Sequence, residues 1–182
     1  MYVNDGLLLR HVLQSNAIEG IRAYRSDPLV ADHLHAARIA ARGTCVHPLI
    51  LNAILARRLP GMKGCAGQYR TCEVAVGRKK MPRSSYVPAL MARWEGLVRE
   101  FQRDESAPDD LAAKAFLIHV AFLCIHPFPD TNGRTARLVW NDLRVSKALP
   151  WHVQMVQKKW EYYAAISSLE DCVFRPYFGG VY

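Results

Sequence analysis

The sequence predicts a mainly α-helical fold carrying one small β-hairpin, and three observations support this. Apolar residues recur every three or four positions through most of the chain, as in VPALMARWEGLVREFQRD (87–104). Asp and Pro start and stop signals punctuate those runs. One stretch, TCEVAV (71–76), alternates instead and is followed by a glycine and a basic tip.

In chain order, DPLVADHLHAARIAAR (27–42) places Asp27 as a cap with Pro28 at the first helical position. HPLILNAILARRL (47–59) repeats the pattern, with a proline near its start. The alternating segment within 67–82 predicts the hairpin. The 87–104 helix should bury Leu90, Trp94, Leu97, Val98 and Phe101 on one side. Asp109 or Asp110 is expected to cap a helix running through Ile125 and ended by Pro127. A further helix is expected from about Gly133 to Ser146, stopped by Pro150, and a last one from near Gln157 to just before Pro176.

At 182 residues, with 51% hydrophobic and 22% charged residues, the chain suits a single globular domain with a substantial core. No apolar run approaches the ~18 residues that a membrane span needs. The opening MYVNDGLLLRHVLQ lacks a basic region ahead of its apolar stretch, so it does not read as a secretory signal. Five scattered cysteines without a C-x-x-C predict free thiols in a reducing compartment, with Cys124 in the core. A net charge of +8 favours anionic partners without choosing among them. The basic run GRKKMPR (77–83) reads equally as a solvated hairpin tip.

The chemistry concentrates in HPFPDTNGRTAR (126–137), between two predicted helices. Arginines at a helix start are disfavoured, because unpaired N–H groups already make that end positive. Arg134 and Arg137, beside a glycine that lets a ligand approach, therefore predict an anion site of polyphosphate type. Asp130 suits Mg²⁺, which uses few carboxylates together with phosphate oxygens. His126 suits a general base at neutral pH. Singly, each residue has a plain structural reading as a helix end, a turn cap or a solvated charge. Their joint occurrence points to transfer of a phosphate-linked group.

This motif resembles the Fic (filamentation induced by cAMP) signature, H-P-F-x-[DE]-G-N-G-R-x-x-R. It matches at His126, Pro127, Phe128, Asp130, Asn132, Gly133, Arg134 and Arg137. GQYR, VAVG and LIHVAFLCI also resemble the family, so the likeness covers roughly residues 60–170. The resemblance implies a Fic-type helical bundle with a hairpin flap, and most members transfer AMP from ATP to a protein hydroxyl, releasing pyrophosphate. By this likeness, His126 would deprotonate a Ser, Thr or Tyr of the target, and Asp130 would hold Mg²⁺ or Mn²⁺. Asn132 and Gly133 would line the anion hole, Arg134 would steady the leaving phosphates and Arg137 would engage the γ-phosphate. Phe128 would pack inward. Val74, Ala75, Val76 and Gly77 would form the flap that pairs with a target strand.

SNAIEG, Ser15 to Gly20, resembles the family's inhibitory motif, [ST]-x-x-x-E-[GN]. In that reading residues 7–24 form an inhibitory helix segment within a single domain over 1–182, and Glu19 forms a forked pair with Arg137. The plain alternative is an exposed helix residue. Position 131 departs from the family pattern, with threonine in place of glycine. Either the loop sits differently, or the Thr131 hydroxyl contacts phosphate or metal, and relatives with a non-glycine residue there include some that transfer phosphocholine. Gly133 stands where the Doc-type kinases have lysine, which disfavours γ-phosphate transfer.

The resulting expectation is a self-inhibited, Mg²⁺-dependent protein adenylyltransferase acting in the cytoplasm, with a secreted effector or toxin left open. Modification of the chain itself and a homodimer are compatible with it. The competing expectations are another nucleotide or CDP-choline as donor, a Fic fold without catalysis, and a small basic helical domain that binds nucleic acid. The last lacks any recognition-helix or stacking signature.

Overall fold

The computed structural model describes residues 3–178, with side chains through residue 170. Seven helices are present among these residues: α1 (Asp5–Ile18), α2 (Pro28–Ala40), α3 (Pro48–Ala56), α4 (Val87–Arg103), α5 (Pro108–Ile125), α6 (Asn132–Ser146) and α7 (Lys159–Phe178). Between α3 and α4 lie β1 (Ala75–Val76) and β2 (Lys79–Lys80), an antiparallel pair joined by Gly77 and Arg78. No helix among the described residues is long and apolar enough to cross a membrane.

Helix α5 is the axis of the molecule. It reads apolar almost all round, as expected of a helix enclosed by its neighbours, and packs against α4, α6 and α7. Ala115, Val120, Ala121, Phe122 and Ile125 are fully buried along it. Trp94 of α4 stacks edge-on to Phe122 and donates from Nε1 to Ile118 O at 2.9 Å, so its polar edge is satisfied inside the core. Leu97 and Val98 are only partly buried at the edge of the same face. A second layer, α1 on α2 on α3, leans on α6. Arg38 pairs with Asp5, and His33 Nδ1 lies 3.1 Å from Asn16 Oδ1, so two polar contacts fasten α1 to α2.

Several helix ends follow the local signals. The Asp27 carboxylate accepts the Leu29 N–H at 2.8 Å with Pro28 next, and His47 Nδ1 does the same for Leu49 at 3.2 Å. Asp109 and Asp110 do not cap α5. Pro108 takes the first helical position and Ala107 the cap, which leaves both acids in the first turn, where they still complement the helix dipole. Helix α6 stops ahead of Pro150, because Ala148 turns left-handed (φ 55°) and Leu149 N–H closes back on Arg144 O at 2.9 Å. Helix α7 starts two residues later than expected and runs past Pro176 to Phe178, since proline forfeits one N–H bond without necessarily ending the helix. The predicted hairpin is present but its strands are only two residues long. Met81 N–H to Val74 O, at 3.1 Å, is the last rung of its ladder. Cys45, Cys65, Cys72 and Cys124 are free, with Cys124 buried; the side chain of Cys172 lies outside the described residues.

Candidate active site

The site is assembled where α5 ends and α6 begins. His126 follows the last residue of α5 in a left-handed conformation (φ 51°, ψ 60°), unusual for a residue with a Cβ. Its N–H closes the helix on Phe122 O at 3.0 Å. The carbonyl ends of α5 are gathered by Arg70, whose side chain is fully buried. It donates to His126 O at 2.8 Å, Pro82 O at 2.5 Å and Ile125 O at 3.4 Å. One guanidinium thus ties the base of the hairpin to the end of α5. GQYR stands in the stretch that resembles the family, but nothing in the sequence marks Arg70 as the tie.

The His126 ring is partly buried, with Nδ1 3.4 Å from Leu123 O. A carbonyl only accepts, so Nδ1 carries the proton and Nε2 keeps its lone pair. Burial pushes the His126 pKa below its ordinary value. The Leu123 carbonyl opposes that shift, Arg70 adds to it, and Glu19 and Asp130 oppose it. The ring is therefore a neutral acceptor at neutral pH.

The loop from Pro127 to Thr131 is held internally. Asn132 accepts the Phe128 N–H at 2.9 Å and donates to Phe128 O at 2.8 Å, while the Phe128 ring is fully buried. The Asn132 side chain, expected to line an anion hole, is used up as a staple, and only its backbone N–H remains for a ligand. Thr131 sits at φ 65°, the left-handed position a glycine would favour, so the loop keeps its shape despite the substitution. Its hydroxyl, for which contact with phosphate or metal was one of two alternatives, is buried and accepts from Asn52 Nδ2 at 2.7 Å. The signal for Asn52 was present, as a lone polar residue in the otherwise apolar start of α3.

Arg134 and Arg137 are only 5% and 2% exposed, which removes the plain reading of solvated helix arginines. Arg134 Nη2 lies 3.7 Å from Asp130 Oδ1, whose own side chain is 57% exposed. Burial lowers the Arg134 pKa, with Asp130 and Glu19 opposing. Arg137 donates from Nε to Ser15 Oγ at 2.9 Å, and from Nη2 to Ser15 O at 3.1 Å and Glu19 Oε1 at 2.5 Å. The expected forked pair is therefore a shared one: Glu19 and the Ser15 carbonyl share Nη2, and the Ser15 hydroxyl takes Nε.

The spacing of SNAIEG has a physical reason. Ser15 and Glu19 are four apart and share a helix face. Helix α1 ends at Ile18 rather than continuing to residue 24, with Gly20 left-handed at φ 76°. Ile21 N–H bonds Asn16 O and Gly20 N–H bonds Ala17 O, both at 3.0 Å. Glu19 thus sits at a helix end, aimed at α6. It rests against Gly133, where an added Cβ would collide with Glu19 Oε1.

Two hollows flank Glu19. One of about 350 Å³ is bordered by Asp130, Thr131, Gly133 and Arg134. The other, about 430 Å³, is bordered by Val76, Met81, Leu123, Arg137, Tyr162 and Ile166. Glu19, His126 and Gly133 border both, so the Glu19 carboxylate stands as the partition between a polar chamber and a more apolar one. Val76 reaches the second hollow from the hairpin, whereas Ala75 and Gly77 are exposed and Val74 is half-buried. The basic tip is solvated, though Lys79 pairs with Glu170 of α7. Tyr162 was not foreseen: its hydroxyl meets Arg137 and lies 2.7 Å from His119 Nε2 inside the core.

A helical bundle with a short hairpin, whose anion-type loop opens a helix of buried arginines, defines a Fic-fold protein. The Fic/DOC family profile matches residues 34–143, and the chain belongs to that family. It is 31% identical over 112 residues to protein adenylyltransferase fic-1 of Caenorhabditis elegans, a match covering 62% of this chain and 22% of the relative. It is 32% identical over 111 residues to protein adenylyltransferase Fic of Culex quinquefasciatus, covering 61% and 22%. The matched stretch is about a fifth of the length of those relatives. In structure the chain resembles a Fic-domain-containing signaling protein from Bacteroides thetaiotaomicron, with TM-score 0.76 and 19% identity over 92% of this chain and 74% of that one. It also resembles Fic-1 from C. elegans, with TM-score 0.63 and 20% identity over 92% and 57%.

Proposed function

We infer that this chain is a protein adenylyltransferase, moving AMP from ATP to a hydroxyl of a target protein, and that Glu19 holds it inactive. The observation that carries this reading is the meeting of His126, Gly133 and the buried Arg134 and Arg137 around two hollows that one carboxylate divides. The names of the relatives support AMP as the transferred group.

In the proposed step His126 Nε2 takes the proton of the target Ser, Thr or Tyr hydroxyl, whose oxygen attacks the α-phosphorus. The bond from that phosphorus to the β-bridging oxygen breaks, and pyrophosphate leaves. The Asn132 and Gly133 N–H groups at the start of α6 meet the phosphate oxygens, where a helix end favours negative charge. Arg134 steadies the leaving group, and Arg137, once free of Glu19, orients the γ-phosphate. The exposed Asp130 carboxylate beside this loop fits a magnesium ion, which commonly binds one carboxylate together with substrate phosphates. Such an ion supplies positive charge to the phosphates. No cluster of three metal-ligating side chains occurs among the described residues, which suits an ion arriving with its nucleotide rather than a resident one.

Residues 60–170 form the catalytic core in this reading, α1 the inhibitory element and residues 74–77 the docking edge for an extended target segment. Because the Thr131 hydroxyl is committed to Asn52, the threonine adds no new group to the polar chamber, which favours the common donor over CDP-choline.

The test incubates the Glu19→Gly protein with Mg²⁺ and a panel of ATP, other nucleotides and CDP-choline, followed by intact-mass spectrometry of chain and candidate targets. An added AMP that His126→Ala abolishes is the expected result. A different added mass reassigns the donor, and undiminished transfer by His126→Ala removes the proposed base.

A further inference from the structure

We propose that Asn52 is a positioning residue for the loop between α5 and α6, and that it is what makes threonine workable at position 131. The proposal concerns the site read above as a transferase, but it stands first on the loop's own geometry. Thr131 turns through φ 65° and ψ 10°, where a β-branched residue is strained and persists only if its surroundings over-determine it. Among those surroundings are the Thr135 hydroxyl, 3.4 Å from Thr131 Oγ1, the Asp130 carboxylate that accepts the Thr131 N–H, and one amide that reaches in from α3. Asn52 Nδ2 donates to Thr131 Oγ1 at 2.7 Å and to Asp130 O at 3.2 Å, on either side of the strained turn.

The amide cannot be turned round. Its Oδ1 accepts the Gly67 N–H at 2.7 Å, so the NH₂ end must face Thr131. Asn52 is wholly buried, and the segment at Gly67 lies so close to α3 that a Cβ there would meet Ala53 and come within 3.2 Å of Leu49 O. Three stretches distant in sequence are therefore clasped at one side chain.

The consequence passes into α6. Thr131 O accepts the Thr135 N–H at 2.8 Å, the bond that opens the helix. The direction of α6, and with it the aim of the Asn132 and Gly133 N–H groups, follows from a turn that Asn52 holds. Glycine would adopt this turn at no steric cost and would need no clasp. Asn52 and the Thr131 side chain thus act as a pair, with the hydroxyl serving the loop rather than a ligand.

Two measurements separate this role from the transferase reading. Amide hydrogen exchange at Thr135 and Phe128, without nucleotide, reports the loop, since both N–H groups are bonded across it. Thr131→Val keeps the side-chain shape and removes the acceptor. It and Asn52→Ala should each speed exchange at those amides by about tenfold or more, while Ala121 in α5 keeps its protection. Thr131→Gly added to Asn52→Ala should return exchange to within about threefold of the parent protein. Unchanged exchange in Thr131→Val, or an Asn52→Ala defect that Thr131→Gly leaves in place, overturns the proposal. If Asn52→Ala fails to fold, the Thr131→Val result alone decides. In the Glu19→Gly background the first two variants should also lower kcat for AMP transfer by about tenfold, and Thr131→Gly should rescue Asn52→Ala. Should the Glu19→Gly parent transfer nothing, the transferase reading fails while the exchange result still settles the role of Asn52.

Discussion

Arg137 gives Nη2 to Glu19 at 2.5 Å and Nε to Ser15 at 2.9 Å, so a single guanidinium grips both ends of the last turn of α1. Removing the carboxylate leaves the Ser15 contacts in place, so α1 stays docked while Nη2 loses its charged partner and keeps only the Ser15 carbonyl at 3.1 Å. Glu19→Gly should raise the rate of AMP transfer by about 30- to 150-fold, the equivalent of roughly 2–3 kcal/mol of bias towards the closed state. Ser15→Ala, which spares the partition between the hollows, should raise it far less. Time courses by mass spectrometry decide; equal rates for parent and Glu19→Gly would remove the inhibitory role.

The acid limb of activity should reflect the His126 environment. Burial holds its pKa below the ordinary value, so the ring stays unprotonated to lower pH than a free imidazole. The acid limb of transfer by Glu19→Gly should therefore be centred below ~6.5. Loss of the Glu19 charge, which raises this pKa, moves the limb further towards acid. His126→Ala should lose ~10²–10⁴ of the rate. A limb centred above ~6.5 in the pH profile of kcat/KM contradicts the assignment of this base.

Gly133 has no room for a side chain while Glu19 is present. An added Cβ would collide with Glu19 Oε1 and lie 3.2 Å from Arg137 Nη1. Gly133→Ala should cost about 1–3 kcal/mol in urea unfolding of the parent protein. In the Glu19→Gly background the same change should be neutral or stabilising, because alanine favours a helix by about 0.8–1.0 kcal/mol over glycine. Equal penalties in both backgrounds would mean that the carboxylate does not rest on position 133.

Tyr162 links α7 to the floor of the site. His119 Nδ1 lies 3.0 Å from Ala136 O and must carry its proton there, which leaves Nε2 to accept from the Tyr162 hydroxyl at 2.7 Å. Tyr162→Phe strands that nitrogen in the core and should cost about 1–3 kcal/mol of stability. Denaturant titration gives the value, and a cost near zero would show that the bond is not formed.

Much of the helical architecture was legible because its signals act over four residues or fewer. Asp27 with Pro28, Pro48 before an apolar run, and the trio of Leu90, Trp94 and Phe101 in α4 each declare an element without help from the rest of the chain. The same locality explains the misreadings. Asp109 and Asp110 are good caps in isolation, yet Pro108 opened the helix ahead of them, and TCEVAV alternates over six residues while only Ala75 and Val76 pair as a strand. The site was legible as a motif, since His126 to Arg137 is one contiguous stretch. Arg70, Asn52 and Tyr162 were not, because each acts on a residue far along the chain.

By itself, then, the sequence determined the order of the helices and the collection of charges at the start of α6. Tertiary structure alone decided what those charges face. Packing α1 and α3 against α6 brings Ser15 and Glu19 to Arg137 in α6 and Asn52 to Thr131 in the loop before it, some eighty to one hundred and twenty residues away. Backbone preferences extend only a few residues, whereas a buried guanidinium or hydroxyl must find its partner wherever the core delivers one.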